Sequence, residues 1–215
     1  TIHRMPGWGS FKRNDILVFN FPYQMNRWDS VRMDVMQYYV KRCVALPGDT
    51  LEIRGGFYKV RGCDEQLGNC DAQQYLANLK HPEQHGIVVG TFPYDKQIGW
   101  NIREFGPLPI PKKGQTVMMN RTNCLLYRQL IGWEQKKKLR IKDGQIVLGD
   151  SVITQYRFKK NYYFVSGDNM ANSQDSRYWG MLPEEYIVGK AARVWYSEDK
   201  FTEKPRWDRI MKKIK

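Results

Sequence analysis

The chain contains short runs of continuous or alternating apolar residues, separated by turn-forming residues. Runs of this kind, rich in Val, Ile and aromatic side chains, are typical of β-strands. Long helical periodicity is absent, and one short helix is predicted over residues 72–79. The predicted strands cover residues 15–21, 38–46, 51–53, 57–60, 162–165 and 186–196, with a hairpin over 139–148 that turns at Asp143-Gly144.

These elements predict a mainly β fold with a folded-over or barrel-like antiparallel sheet as its core. The middle of the chain differs in character, because it is polar, interrupted by Pro and Gly, and without a clear period. We therefore interpret residues 1–60 and 145–215 as two parts of one β core. Residues 61–144 are interpreted as an irregular inserted subdomain.

The chain is strongly basic, with 35 Lys and Arg against 22 Asp and Glu and a net charge of +13. This charge fits a solvated basic surface, a surface attracted to anionic lipid, or a nucleic-acid-binding surface. We favour lipid over nucleic acid, and expect no nucleic-acid partner, because no helix-turn-helix, zinc-finger or RNA-binding signature is present. No run of roughly 20 apolar residues predicts a transmembrane helix.

The four cysteines do not have the spacing of a zinc site, and no metal or organic cofactor is predicted. Cys63 and Cys70 bracket a short, turn-like stretch. In an oxidising compartment they are candidates for a disulfide bond, and the alternative is two free thiols. Separation along the chain does not decide between the two, because a disulfide requires a specific geometry.

A lysine stands inside one of the apolar strands. Strand alternation places Lys41 and Arg42 on opposite faces, so one of these two basic side chains points inward. An inward lysine is stable if it is paired or neutral, and burial moves its pKa from about 10.4 towards the value of about 7 that suits a general base. The alternative is a lysine on the solvated face of an edge strand.

A second segment, residues 166–180, follows a predicted strand and is dense in turn formers and hydrogen-bonding side chains. An ordinary polar loop and a calcium-binding loop are the simple interpretations. Asp168, Asn172 and Asp175 offer oxygen ligands, but their spacing does not match an EF-hand and no bidentate Glu follows at the required position.

Together these segments resemble bacterial type I signal peptidases, which are serine–lysine proteases. That family carries Lys-Arg-x-x-x-x-Pro-Gly-Asp, found here at residues 41–49, and Gly-Asp-Asn-x-x-x-Ser-x-Asp-Ser-Arg-x-x-Gly, found at 167–180. Residues 12–19 and 185–197 resemble the family's strand before the lysine and its closing strand. The resemblance covers about half of the chain, at both ends, and long motifs in the same order are a specific signal.

The resemblance implies a role for each matched residue. Lys41 is implied to be the general base that deprotonates a nucleophilic serine, and Ser173 the hydroxyl that orients Lys41. Asp175 and Arg177 are implied to be a pair that braces the loop, and Gly167 and Asp168 a turn that brings Ser173 to Lys41. Val18 and Val40 are implied to form apolar walls for small substrate side chains.

In the family, the nucleophile lies in a Ser-Met-x-Pro motif before the first matched strand, close to a membrane anchor. The sequence does not contain this motif, since Arg4-Met5-Pro6 has no serine and Ser10 is followed by Phe11. We therefore expect that this chain lacks the nucleophile and the anchor, and that by itself it does not cleave a signal peptide.

The resemblance thus implies signal peptidase I, an endopeptidase that cleaves signal peptides from exported preproteins with a Ser/Lys dyad. Its place would be the extracytoplasmic, periplasmic face of the cell membrane, reached through an N-terminal anchor. The substrate would bind as an added strand at a sheet edge.

Three alternatives stay open at this point. The first is a non-catalytic relative that binds exported segments or assists assembly of the cell envelope. The second is a self-cleaving repressor-type protease, disfavoured because such proteins lack the Gly-Asp-Asn loop. The third is a basic nucleic-acid-binding β-domain, which a steep loss of affinity with salt would reveal.

Overall fold

The computed structural model describes residues 9–24, 28, 30–199 and 202–214. Strands predominate in this part of the chain, and the predicted mainly β fold is confirmed. Numbered in chain order, its strands are β1 (Ile16–Phe21), β2 (Asp34–Ala45), β3 (Thr50–Arg54), β4 (Phe57–Val60), β5 (Phe105–Pro109), β6 (Thr116–Met118), β7 (Leu139–Lys142), β8 (Gln145–Leu148), β9 (Ser151–Val152), β10 (Gln155–Arg157), β11 (Tyr162–Ser166), β12 (Leu182–Pro183) and β13 (Ile187–Lys190). Its α-helices are α1 (Cys70–Asn78), α2 (Arg121–Gln135) and α3 (Ser176–Trp179).

The largest sheet is antiparallel and has the order β12-β11-β2-β1-β13. Strand β2 is twice as long as β1, and its two ends have different neighbours. Strand β11 pairs with β2 only at Arg42, Cys43 and Ala45. The edge of β2 that precedes Arg42 on the β11 side therefore has no partner strand among the described residues.

Three smaller sheets are present among the described residues, with the orders β4-β3-β5, β10-β6 and β7-β8-β9. Two of them join the middle of the chain to its ends, since β5 pairs with β3 and β6 pairs with β10. The Phe105 ring contacts the Phe164 ring at a centroid distance of 5.7 Å. Residues 61–144 thus share sheets and a hydrophobic core with the flanking segments, while the division at 61 and 144 stays a prediction.

The absence of long helical periodicity was a wrong prediction, because α2 has 15 residues. Asn120 is the N-cap of the helix, and its side-chain oxygen accepts a hydrogen bond from the Asn123 amide at 2.8 Å. Only one face of α2 is buried, so polar residues such as Arg128 and Gln129 interrupt its apolar stripe. None of the helices in the described ranges is long and apolar enough to cross a membrane.

Two predicted boundaries also move. The strand predicted over 186–196 is shorter, because β1 offers β13 partners only from Leu17 to Phe19, and the last contact is from the Ala191 amide to the Ile16 carbonyl. Helix α1 begins two residues earlier than predicted, because the Asn69 side chain accepts a hydrogen bond from the Ala72 amide.

All four cysteines are free thiols in the structure. Cys43 and Cys124 are buried, and Cys63 and Cys70 are partly buried. Of the two alternatives for Cys63 and Cys70, the structure has the unbridged one.

Candidate active site

The two sequence motifs meet at one hydrogen bond. Lys41 lies in β2, opposite the buried Leu17 of β1, and its side chain points towards the loop that follows β11. Lys41 Nζ donates a hydrogen bond to Ser173 Oγ at 3.0 Å. The prediction that one of two adjacent basic residues points inward therefore applies to Lys41.

An aromatic wall flanks the amine. Lys41 Nζ lies 5.6 Å from the centroid of the Tyr39 ring, which stacks on Phe21 at 4.6 Å. Burial lowers the pKa of Lys41 from its ordinary value of 10.5. Asp175 opposes this shift, Arg177 reinforces it, and Asp168 opposes it.

Gly167 is required for the approach of these two groups. A Cβ atom at this position would overlap Ser173 Oγ, and it would lie 2.7 Å from Ser173 Cβ and 3.2 Å from Lys41 Nζ. Only a residue without a side chain leaves room for the amine and the hydroxyl to meet. The glycine here serves close approach of side chains, because its φ lies outside the left-handed region.

A buried ion pair holds the loop from beneath. The Asp175 carboxylate accepts hydrogen bonds from Arg177 Nε and Nη2, both at 2.9 Å, and from the Gly167 amide at 3.0 Å. Both side chains of the pair are fully buried. Burial alone would raise the pKa of Asp175, but the charge and hydrogen bonds of Arg177 overcome it and hold that pKa below its ordinary value.

A further support for the loop comes from β4 and was not predicted. Tyr58 donates a hydrogen bond from its hydroxyl to Ser166 Oγ at 2.7 Å, and Ser166 Oγ in turn lies 3.4 Å from the Asp175 carboxylate. Tyr58 stands 108 residues before Ser166. A lone tyrosine in a short hairpin gives no local signal for this contact.

Arg42 and Asp168 fix the first turn of the loop to β2. The Arg42 guanidinium makes two hydrogen bonds of 2.7 Å to the Asp168 carboxylate, in the bidentate geometry that arginine favours. Arg42 Nη1 also donates to the Asn14 carbonyl at 3.0 Å. Asp168 lies in the turn and is held to β2 by its ion pair with Arg42, the residue next to Lys41.

Val18 and Val40 do not share the face of Lys41. They lie opposite each other in the β1–β2 register, so alternation puts both on the other face of the sheet. Val40 is 55% exposed and Val18 is half-buried. The structure therefore brings Lys41, Ser173 and the loop residues together. The two valines lie on the same strands, on the other face of the sheet.

The arrangement can hold a neutral amine next to a fixed hydroxyl. The lowered pKa of Lys41 favours the neutral amine, which has a free lone pair, while one of its N–H groups stays directed at Ser173. Serine–lysine hydrolases use an amine in this state to take the proton of a serine nucleophile.

Comparison with known proteins places the chain more narrowly. The family described as "Signal peptidase, peptidase S26" matches residues 2–196. The chain belongs to this family. Signal peptidase I of Buchnera aphidicola subsp. Acyrthosiphon pisum is 58% identical over 197 residues, which cover 87% of this chain and 55% of that relative. Signal peptidase I of Aquifex aeolicus is 50% identical over 188 residues, which cover 86% and 63%.

The chain thus spans between 55% and 63% of the length of these two relatives. The crystal structure of a signal peptidase I from Enterococcus faecalis aligns with 85% of the chain at a TM-score of 0.39 and 19% identity, a likeness too weak to argue from.

Proposed function

We propose that the protein acts as a signal peptidase I, a serine endopeptidase that cleaves signal peptides from exported preproteins at the extracytoplasmic face of the cell membrane. The observation that carries this proposal is the hydrogen bond of 3.0 Å between Lys41 Nζ and Ser173 Oγ, with a half-buried lysine of lowered pKa. Membership of the signal peptidase family supports the same reaction.

In the proposed reaction Lys41 is the general base. Its neutral amine takes the proton of a serine hydroxyl as that oxygen attacks the carbonyl carbon of the scissile peptide bond. The C–N bond then breaks as the proton passes from Lys41 to the leaving amine. This leaves the acyl group joined to the serine oxygen as an ester. Lys41 then deprotonates a water molecule, which attacks the ester carbonyl, and the serine oxygen leaves and takes the proton back from Lys41. Ser173 keeps the amine oriented throughout by accepting a hydrogen bond from one of its N–H groups.

The nucleophile in this proposal is the serine of a Ser-Met-x-Pro segment, which the family pattern places before β1. The 215-residue sequence does not contain that segment. Cleavage is therefore tested with a protein that contains such a segment, and the 215-residue chain serves for binding, titration and stability measurements.

The unpaired edge of β2 supports binding of the substrate as an added strand. A backbone edge without a partner is a template for an extended peptide. Along this edge the side chains of Val35, Met36, Tyr38 and Val40 are all exposed, and the edge ends at Lys41. A signal-peptide end laid against it would bring apolar residues to these side chains and its scissile bond towards the amine.

The test is cleavage of a preprotein whose signal peptide ends in small residues. We expect Lys41→Ala to reduce kcat by about 10²-fold to 10⁴-fold, because a positioned general base contributes that much. Ser173→Ala should also lower kcat, since the amine loses its oriented partner.

Lys80→Ala, which changes an exposed lysine outside the site, is the matched control and should retain the original rate. Cleavage by the Lys41→Ala protein at the rate of this control would rule out Lys41 as the general base. No cleavage by the unmodified protein would favour a non-catalytic role for the fold instead.

A further inference from the structure

Three concave stretches of surface that share lining residues, together called the groove, extend from Ser173 to a cluster of basic side chains. Its first stretch, of about 310 Å³, begins at Ser173 and Gln174 and is walled by Tyr94 and Tyr178. Its second stretch, of about 300 Å³, shares both tyrosines and adds Arg128. The third stretch, of about 530 Å³, shares Arg128 with the second.

The third stretch is rich in cations. The basic side chains that line it are Arg128, Lys136, Lys137, Lys138 and Arg140. Among the described residues no acidic side chain lines it, and none of these five side chains takes part in the ion pairs found there. Lys136 has a structural explanation, because it ends α2, where a cation is favoured by the helix dipole. The other four have no such explanation.

Two further features indicate a surface built to hold a chain. Tyr94 is 55% exposed and has a φ of +59°, a conformation that a bulky residue rarely adopts, and in it the ring lines the groove. The Lys137 stem lies close to Gly149, where an added Cβ would be only 3.2 Å from its Cδ. An aromatic wall thus stands near the reacting groups, and cations stand further along.

We propose that this groove binds the part of the substrate that follows the scissile bond, and that its basic end favours substrates with acidic residues there. The inference rests on the proposed function. The walls implied for residues before the bond, Val18 and Val40, line none of the three stretches, whereas the first stretch begins at Ser173. A chain that passes the amine would enter the groove after the bond, and would meet the cations with complementary charge.

An anionic membrane is the competing occupant for a basic cluster. It is less well matched, because these cations line a concave stretch that shares Arg128 with the second stretch. The large exposed apolar side chains suited to a lipid interface stand elsewhere, at Met36 (85% exposed), Trp195 (82%) and Trp207 (76%). We therefore commit to a peptide.

The experiment measures binding of two labelled peptides to the 215-residue chain by fluorescence anisotropy. Both carry the same signal-peptide end, followed by about ten residues that contain either three Glu or three Gln. A further set of peptides places the three Glu at different positions in this segment. Because an extended chain advances about 3.3 Å per residue, the position that binds most tightly gives the distance of the basic cluster from the scissile bond. We expect the Glu peptide to bind about threefold to tenfold more tightly at low salt. The preference should vanish near 1 M salt, where the screening length falls to about 3 Å.

The variant Arg128→Gln/Lys137→Gln/Lys138→Gln should reduce the ratio of the two affinities to about one. Its matched control, Lys80→Gln/Lys112→Gln/Lys113→Gln, loses the same charge from exposed lysines outside the groove and should keep the preference. Thermal unfolding of both variants checks that the fold is retained. If the groove variant does not fold, the salt dependence of the preference in the unmodified chain still tests the inference.

Equal affinity for the two peptides, or an equal loss of preference in the control variant, would overturn the inference. So would a groove variant that keeps the peptide preference and loses binding to phosphatidylglycerol vesicles, since the cluster would then be a membrane surface. If neither peptide binds, the inference fails, and the cleavage assay with Lys41→Ala still decides independently whether the proposed function stands.

Discussion

Gly167→Ala is the most informative single change, because it adds one methyl group at the point where the two motifs meet. The new Cβ would overlap Ser173 Oγ and lie 3.2 Å from Lys41 Nζ, so the Ser173 side chain has to move away. The φ of Gly167 is outside the left-handed region, so the backbone itself tolerates alanine. The effect is therefore steric and local to the amine and hydroxyl.

The expected magnitude follows from that geometry. A displacement of about 1 Å at a reacting group costs about 10²-fold in rate, and we expect kcat of a protein that contains the nucleophile segment to fall by at least that factor. An extra methyl group in a tight space costs about 1–3 kcal/mol of stability. At about 2–4 °C per kcal/mol for a chain of this size, the Tm should fall by a few degrees.

The assay combines cleavage kinetics with thermal unfolding, and Gly189→Ala is the control. Gly189 lies in β13 with no atom within 4 Å of an added Cβ, so its Tm should stay close to that of the original chain. A double-mutant cycle sharpens the test, since Ser173→Ala should add little once Gly167→Ala has displaced the hydroxyl. Fully additive losses, or a Gly167→Ala protein with the original kcat, would refute the reasoning.

Three further predictions concern the supports of the site. Lys41→Met should raise the Tm at pH 7, and this gain should shrink as the pH approaches 10.5. The pKa of Lys41 is lower in the folded chain, so the unfolded chain binds more protons. The stability of the original protein therefore rises with pH in this range. Asp175→Asn should cost about 3 kcal/mol or more in denaturant unfolding, because it leaves the fully buried Arg177 unpaired. Tyr58→Phe should cost about 1 kcal/mol by the same measurement, through loss of its hydrogen bond to Ser166.

The centre of the site was predictable because its residues lie in two long motifs. The Lys41 segment and the Ser173 segment each have a local feature that marks them in the sequence, an apolar strand with a lysine and a loop dense in turn formers. Their family resemblance then gave the pairing. The hydrogen bond between Lys41 and Ser173 joins residues 132 positions apart, a contact that periodicity alone does not reveal.

The supports and the groove were not predictable for the same reason. Tyr58 acts from a hairpin far from the loop, and Tyr39 contributes a ring beside the amine whose role the sequence does not reveal. Helix α2 was missed because half of its surface is polar, although its N-cap Asn120 and its buried Cys124, Tyr127 and Ile131 have helical spacing. Missing α2 also concealed the groove, since Arg128 lies on that helix.

The most direct test of the account is the titration of Lys41 in the 215-residue chain, followed by NMR of isotope-labelled lysine side chains and assigned with Lys41→Arg. The account predicts that one lysine titrates clearly below 10.5 and that this signal disappears in the variant. A Lys41 signal that titrates together with the exposed lysines would contradict the claim that this fold holds an uncharged amine ready to accept a proton.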